Sequence, residues 1–282
     1  MILKNIQFQQ FINLALLTIY AYYNNTLQSP IYFIALLLAY ALAIEYFLQK
    51  RLNSSALVTT LGIVLMVGYL AWYIPFILIT LSLLQKRYLH LANSHIFNPS
   101  NFAIIAALIL FYPKALPIIG QLGYQGYFIL IAVLIMASAI LFRVNRFIIP
   151  IAFISFYILL EYLIARANNP YWELSHFLQQ FFTTSFIVYI FFMLTDPKTT
   201  PNSIILQTLF GACVALFLVL IEYFTSPRVW NLFLALFIAS IFFVPFYKKL
   251  DKKEWIKYAI YLSLSVAAII YISFKKPIYF SM

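Results

Sequence analysis

The sequence has few charged residues, few glycines and a single cysteine, and each shortage excludes a class of protein or of site. Only 9% of the 282 residues are charged and 65% are hydrophobic, which excludes an ordinary soluble domain. The lone cysteine, Cys213, excludes a disulfide framework and a cysteine-ligated metal centre within one chain. With six glycines, Ala and Ser must provide most of the close helix packing. No glycine-rich phosphate loop, nucleotide-binding fingerprint or nucleophile elbow occurs.

Long apolar runs predict an all-α bundle that crosses the membrane repeatedly. A spanning helix needs about 20 apolar residues, and a broken helix needs fewer. The sequence therefore predicts ten or eleven transmembrane helices, some of them broken. The candidate segments are Phe8–Tyr23, Ile31–Phe47, Ala56–Leu70, Trp72–Leu84, Phe102–Tyr112, Tyr127–Phe142, Phe147–Ile164, Phe177–Leu194, Ile204–Phe224, Val229–Tyr247 and Trp255–Phe274.

Basic residues fall in alternate gaps between these segments. Thirteen Lys and Arg lie on the side of Lys4, and five lie on the other side, at Lys114, Arg166, Arg228, Lys275 and Lys276. The positive-inside rule then predicts a multi-pass protein of the cell inner (plasma) membrane with a cytoplasmic N-terminus. Merging the third and fourth segments would disturb this alternation, so we expect two separate helices. The net charge of +11 is scattered and forms no patch, which argues against nucleic acid as a partner and leaves membrane lipid.

Two polar, proline-containing interruptions stand out between apolar runs. Asn98 precedes Pro99 in the stretch 93–102, and Asp196 precedes Pro197 in the stretch 195–200. A residue before proline is pushed out of the helical region, so each pair predicts the end of one helix and the start of another. In hydrocarbon, irregular backbone survives only where protein or a watered cavity surrounds it. We expect the two interruptions to converge inside the bilayer and form one polar chamber.

The side chains of these stretches form the candidate site. Free N–H groups at two helix starts would suit a phosphate, a semiquinone or a flavin oxygen. The alternative is that Asn98 and Asp196 simply cap the helices that follow them. The candidate ligand-binding residues are Asn98, Ser100, Asn101, Thr195, Asp196, Thr199 and Thr200.

Three glutamates near segment ends share one setting, each followed by tyrosine: Glu45, Glu161 and Glu222. An acid within the bilayer suggests a proton or cation relay. Near the interface, snorkelling or a hydrogen bond to a tyrosine hydroxyl explains such residues equally well. The interfacial interpretation is favoured, with Glu45 on the inner side and the other two on the outer side.

His95–Phe102 and Phe191–Thr199 resemble the corresponding stretches of a known family, and 233–245 resembles the helix that follows them. This family, NqrB/RnfD, comprises membrane subunits of the sodium-pumping NADH:quinone oxidoreductase and of the Rnf electron-transport complex. The amino-acid sequences of both motifs are most similar to those of a stand-alone branch of the family. The resemblance implies a urea-transporter-like core of ten helices over residues 1–250, with residues 251–282 adding one C-terminal helix.

The resemblance also implies flavin-linked electron transfer across the membrane, coupled in the full complexes to ion movement and shared with other redox subunits. Family carriers hold FMN covalently through a threonine in an outer loop. The corresponding loop here, Pro113–Gly126, has no Ser or Thr, so covalent FMN at that loop is excluded. Thr183, Thr184 and Ser185 lie near a second small-polar motif of the family, but their spacing from Asp196 predicts a polar helix face.

Three hypotheses follow from the sequence. The first is a membrane redox subunit of this family with a non-covalent flavin, FMN or riboflavin, held at the two interruptions. The second is a small-solute transporter or channel of the same fold that uses these interruptions as its midplane site. The third is a scaffold subunit without chemistry of its own.

Overall fold

The computed structural model describes residues 6–50, 52–118, 127–168, 181, 183–225 and 228–275, and in these it is an all-α membrane bundle. Its helices are α1 (Ile6–Tyr23), α2 (Ile31–Gln49), α3 (Ser54–Met66), α4 (Ile74–Tyr88), α5 (Pro99–Leu110), α6 (Tyr127–Val144), α7 (Ile148–Asn168), α8 (Thr184–Val188), α9 (Ile204–Thr225), α10 (Asn231–Phe242), α11 (Val244–Tyr247) and α12 (Lys252–Ser273). A π-helix, Tyr189–Met193, continues α8. The strands are β1 (Val67–Tyr69), β2 (His90–Leu91), β3 (Ser94–His95) and β4 (Ala115–Pro117).

Each of the eleven predicted segments contains helix. The third and fourth are separate helices, α3 and α4, as the charge alternation predicted, with β1 and a turn between them. In the eighth segment α8 starts at Thr184, and residues 177–180 and 182 lie outside the described residues, so the predicted start at Phe177 stays a prediction. The division of the chain at residue 250 stays a prediction.

By length and composition, three of the described helices, α2, α9 and α12, can each cross a membrane. The pair α6 and α7 is bent by 111° and makes a fourth span if it is one broken helix. The helices α3, α5, α10 and the α8–π segment are shorter and apolar. At a rise of 1.5 Å per residue, the 12 residues of α5 cover about 18 Å, well short of a hydrocarbon core of about 30 Å. These short helices therefore end within the bundle.

Where the short helices end, short strands provide hydrogen bonds for part of the backbone N–H and C=O groups. Strand β1, directly after α3, pairs antiparallel with β4, which follows α5, in the register Val67 to Pro117 and Tyr69 to Ala115. Beyond the ladder, the backbone N–H of Ile118 donates to the carbonyl of Met66 over 2.9 Å. The pairing ties the ends of two broken helices together, because apolar surroundings offer no water to their peptide groups. The sequence pattern did not predict these strands.

A tight hairpin leads into the first polar interruption. Strands β2 and β3 pair His90 with His95, and the two turn residues, Ala92 and Asn93, both have positive φ, at 47° and 60°. Two-residue hairpins commonly require positive φ at both turn positions, and Asn tolerates it better than Ala. The backbone N–H of Ala92 donates to Glu254 Oε1 of α12 over 2.7 Å, which anchors the hairpin. His95 and the chain that follows it are thereby fixed in place.

Helices α7 and α9 pack together through a glycine. A Cβ added at Gly211 of α9 would lie 2.8 Å from the carbonyl oxygen of Ile149 and 2.9 Å from the nitrogen of Phe153, both in the backbone of α7. Backbone atoms cannot rotate away as a side chain can. This contact therefore sets the distance between the two helices.

We predict that Gly211→Ala destabilises the protein even though alanine is the better helix former by about 1 kcal/mol. Overpacking against fixed backbone costs about 1–3 kcal/mol and should outweigh that gain. Thermal unfolding of the detergent-purified protein should shift to lower temperature. Leu216→Ala, on the exposed side of the same helix, should change it little. A higher unfolding temperature for Gly211→Ala would contradict the tight contact.

Candidate functional site

The two polar interruptions meet in the structure, as the sequence predicted. Asn98 Nδ2 lies 3.3 Å from Asp196 Oδ2, although 98 residues separate them along the chain. The same Nδ2 group also donates to the carbonyl of Phe192 over 3.2 Å. Asn98 is 7% exposed, so these bonds form in a largely buried setting. One amide thus joins the start of α5 to the end of the π-helix.

Asn98 also caps α5, which confirms the capping interpretation at this position. Its Oδ1 atom accepts hydrogen bonds from the backbone N–H groups of Ser100 and Asn101, over 3.1 and 3.2 Å. Pro99, the first residue of the helix, has no N–H to satisfy. The first N–H groups of α5 are therefore engaged within the chain, and the anion-binding helix start that the sequence suggested is closed here.

The π-helix leaves carbonyl groups that side chains can reach. Its i to i+5 pattern is shown by the N–H of Leu194, which donates to the carbonyl of Tyr189 over 2.8 Å. The carbonyl of Phe191 then accepts from Thr195 Oγ1 over 2.9 Å, and that of Phe192 accepts from Asn98. Single-turn π segments are frequent at functional sites. Here the π-helix ends directly beside Asp196.

The second interruption forms a turn and not a helix start, so the prediction that Asp196 and Pro197 begin a helix is wrong. Asp196 Oδ1 accepts from the N–H of Lys198 over 3.0 Å. Its carbonyl accepts from the hydroxyls of Thr199 and Thr200, over 3.3 and 2.7 Å. These local bonds compete with helix formation. Helix α9 begins only at Ile204, past Pro201.

Asp196 lies within hydrogen-bond distance of His95, whose Nε2 atom is 3.4 Å from Oδ2. Burial of the Asp196 carboxyl opposes its ionisation. The hydrogen bond and electrostatic attraction from His95, together with the N–H of Lys198, outweigh burial and hold the pKa of Asp196 below its usual range. Asp196 is therefore a carboxylate at neutral pH. Because its folded-state pKa is depressed, its contribution to stability is present at neutral pH and is lost only in acid.

Arg146 holds this turn from the α6–α7 junction, a role that the sequence did not reveal. Its Nε atom donates to Thr200 Oγ1 over 2.9 Å, and Nη2 donates to the carbonyl of Pro197 and to Asn202 Oδ1. Arg146 is only 4% exposed. In the sequence it is one of the basic residues that predict topology, and no local pattern distinguishes it from Arg143. Only the folded structure identifies it as a positioning residue.

A cavity of about 390 Å³ lies beside the junction of the two interruptions. Three of the seven predicted site residues line it, namely Asn98, Ser100 and Asp196. His95 and Lys198 also line it and were not among the predicted site residues. Apolar side chains from α1, α3 and the α8–π segment form much of the remaining wall.

The other four predicted residues lie close by but are not part of the cavity lining. Their side chains bind main-chain carbonyls: Asn101 binds Phe233, Thr195 binds Phe191, and Thr199 and Thr200 bind Asp196. They hold the backbone around the cavity. A direct contact of these four with a ligand stays a prediction.

Two basic residues that the sequence placed on one side of the membrane, Lys86 and Lys248, interact electrostatically with Asp196. Lys86 Nζ lies 3.2 Å from Glu45 Oε1 and donates to Ser55 Oγ over 2.8 Å. Glu45 is fully buried against its neighbours, and its predicted place near the inner interface stays a prediction. Lys248 donates to Ser94 in the hairpin.

The two remaining glutamates of the repeated pattern face each other. Glu161 of α7 is hydrogen-bonded to Glu222 of α9. The hydroxyl of Tyr157 donates to Glu222 Oε2 over 3.3 Å, which confirms the expected tyrosine hydroxyl bond for this glutamate. Both glutamates are half-buried.

The region where the resemblance implies a covalent flavin is described only in part. Of the loop Pro113–Gly126, residues 119–126 lie outside the described residues. Thr183 caps α8 by accepting the N–H of Phe186 over 3.2 Å, and Ser185 donates to the carbonyl of Ile118. The small-polar stretch at 183–185 therefore serves as a helix start and packs against the end of β4.

Comparison with known proteins agrees with this architecture. The model of the NQR2, RnfD, RnfE family matches residues 117–257, which is half of the chain and includes Asp196. The match begins after Asn98, so the first interruption lies outside it. No curated protein matches the chain. With half of its length matched, the chain belongs to the NQR2, RnfD, RnfE family, which indicates a membrane subunit of an electron-transport complex.

Proposed function

We propose that this protein transfers electrons through a non-covalently bound flavin held in the cavity beside Asp196, as one subunit of an ion-translocating inner-membrane complex. Its N-terminus lies in the cytoplasm, on the side where most of the positive charge gathers. The observation that carries the proposal is the cavity of about 390 Å³ with an ionised Asp196 at its edge, bonded to both His95 and Asn98. Other redox subunits supply and remove the electrons.

The size and walls of the cavity fit a flavin ring system. Ligand cavities in proteins commonly measure about 300–1,000 Å³ and are mostly apolar with a few polar groups. Val58, Val188, Phe192 and Met193 provide apolar surface for the faces of a flat ring. A bound flavin supplies the ability to take up and give up one or two electrons.

The polar edge of the cavity matches the polar edge of a flavin. That edge carries an N–H donor between two carbonyl acceptors, and Asp196 is an anionic acceptor suited to such a donor. Lys198 places an ammonium donor in the same lining. Asp196 repels a phosphate, and among the described lining residues Lys198 is the only Lys or Arg. The charge balance therefore favours riboflavin over FMN.

Packing around the cavity weighs against the alternative of a solute channel. Gly62 of α3 lines this cavity, and Gly68 lines a second cavity of about 320 Å³ farther along the chain. Between the two glycines, residues 63–67 are each at most 3% exposed. Along this stretch of α3 and β1, packed side chains thus lie between the two cavities. Transport would require this layer to open.

We predict that Asp196→Asn weakens riboflavin binding to the detergent-purified protein by about tenfold or more. The reason is the loss of a charge-assisted hydrogen bond, worth about 1.5–3 kcal/mol. Titration followed by quenching of flavin fluorescence measures the affinity. Asp251→Asn removes a carboxylate from the exposed cap of α12, far along the chain from the cavity, and should bind riboflavin normally.

Two results would contradict this proposal. One is wild-type protein that binds neither riboflavin nor FMN saturably after mild extraction. The other is unchanged affinity in Asp196→Asn. Solute flux in liposomes that contain only this chain, together with either result, would instead support the transport hypothesis.

We predict that Arg146→Lys weakens riboflavin binding without removing the positive charge. Lysine has no planar fork, so it cannot hold Thr200, Pro197 and Asn202 together. Limited proteolysis should show faster cleavage in the stretch 197–203 in the variant. Arg143→Lys on the exposed end of α6 is the matched control and should behave as wild type. Equal affinity and equal cleavage in the two variants would show that Arg146 does not position the turn.

A further inference from the structure

An apolar groove lies on the bundle where α9, α10 and α12 meet, away from the Asp196 cavity. Its volume is about 390 Å³, and Phe217, Ile238 and Val266 are among the apolar residues that line it. Along α9 it extends from Phe217 to Thr225, which at 1.5 Å per residue is about 12 Å. None of its described lining residues also lines the Asp196 cavity. It has the shape and the polarity of a slot for one hydrocarbon chain.

One end of this groove is polar and positively charged. Thr225 and Ser273 line the groove at the ends of α9 and α12. Arg228 Nη1 reaches the carbonyls of Ser273, over 3.5 Å, and Lys275, over 2.9 Å. The Lys275 ammonium donates to the carbonyl of Leu108 in α5, and it lies 4.4 Å from the ring centre of Tyr271 and 4.8 Å from that of Tyr112. The Arg228 guanidinium thus lies at the end of the groove that Ser273 lines, and the Lys275 ammonium lies nearby, against α5.

The positive charge at this mouth is not neutralised within the described part of the chain. No described carboxylate lies within ion-pair distance of Arg228 or Lys275. The Nε group of Arg228 is buried and has no hydrogen-bond acceptor among the described residues. Glu222, one turn before the end of α9, is bonded to Glu161 and Tyr157 instead. An anionic group at the groove mouth would neutralise this charge.

We propose that the groove binds an anionic glycerophospholipid, with one acyl chain between α9 and α12 and the phosphate beside Arg228 and Lys275. Basic side chains at the end of membrane helices recognise anionic lipid head groups. A neutral isoprenoid would fill the slot but leave both cations without a counter-charge. The lipid also seals α12 to the bundle. This helix is mostly exposed, since within its described range Ser265 and Ile272 are the only buried residues.

Native mass spectrometry of the protein in mild detergent tests this proposal, with phosphatidylglycerol and phosphatidylcholine of identical acyl chains as probes. Wild type should retain phosphatidylglycerol in preference to phosphatidylcholine. Lys275→Gln lies outside α12 and should weaken phosphatidylglycerol retention about fivefold, leaving phosphatidylcholine unchanged. Lys253→Gln, an exposed residue at the other end of α12, removes the same charge and should have no effect.

Two further variants guard against a folding defect. Arg228→Gln should also lose the preference, and Arg228→Lys should recover part of it, because Lys keeps the charge while losing the guanidinium fork. Val266→Phe narrows the slot and should reduce retention of both lipids. Equal retention of the two lipids by wild type would overturn the proposal. So would an equal loss in Lys253→Gln, or a neutral isoprenoid whose retention is insensitive to Lys275→Gln.

Discussion

Peptide groups cannot be left unbonded in hydrocarbon, and this constraint shapes the centre of the bundle. Helices α3, α5 and the α8–π segment end inside the protein, so the chain itself must satisfy their ends. The β1–β4 ladder does this at one end of α3 and α5. At the other end of α5, Asn98 satisfies the free backbone groups, because it caps the helix and also binds a carbonyl of the π-helix. The unusual polar residues of this sequence are first of all replacements for water.

The same bonds determine which groups remain for a ligand. The backbone N–H groups at the start of α5 are occupied, and the threonine hydroxyls are directed to carbonyls. Left at the cavity are the ionised Asp196, its partner His95 and the side chain of Lys198. A site of this kind recognises a neutral molecule with a donor at its edge better than it recognises an anion. This shift from a helix-terminus anion site to a carboxylate site is the main change that the structure brings to the functional hypothesis.

Local sequence patterns predicted Asn98 correctly and Asp196 incorrectly, for a physical reason. Both residues precede proline, and both had to leave the helical region. After Asn98 the chain is free to continue as helix, because Ser100 and Asn101 offer their N–H groups to the cap. After Asp196, two threonines bond back to its carbonyl and Pro201 follows, so a turn is the better solution. Which solution wins depends on bonds between side chain and backbone, which a proline pattern does not encode.

Composition and hydrophobic run lengths determined that this chain is a polytopic helical membrane protein. The spacing of its basic residues predicted which loops share a side, and its motifs pointed to the family. Composition is a sum over residues, and run lengths, charge spacing and motifs are local along the chain, so all of them can be seen in the sequence without the fold. Only the tertiary structure decided that Arg146 supports the Asp196 turn, that Glu45 is buried with Lys86, and that His95 faces Asp196. These contacts join residues 41 to 101 positions apart, and their energies exist only once the helices have packed.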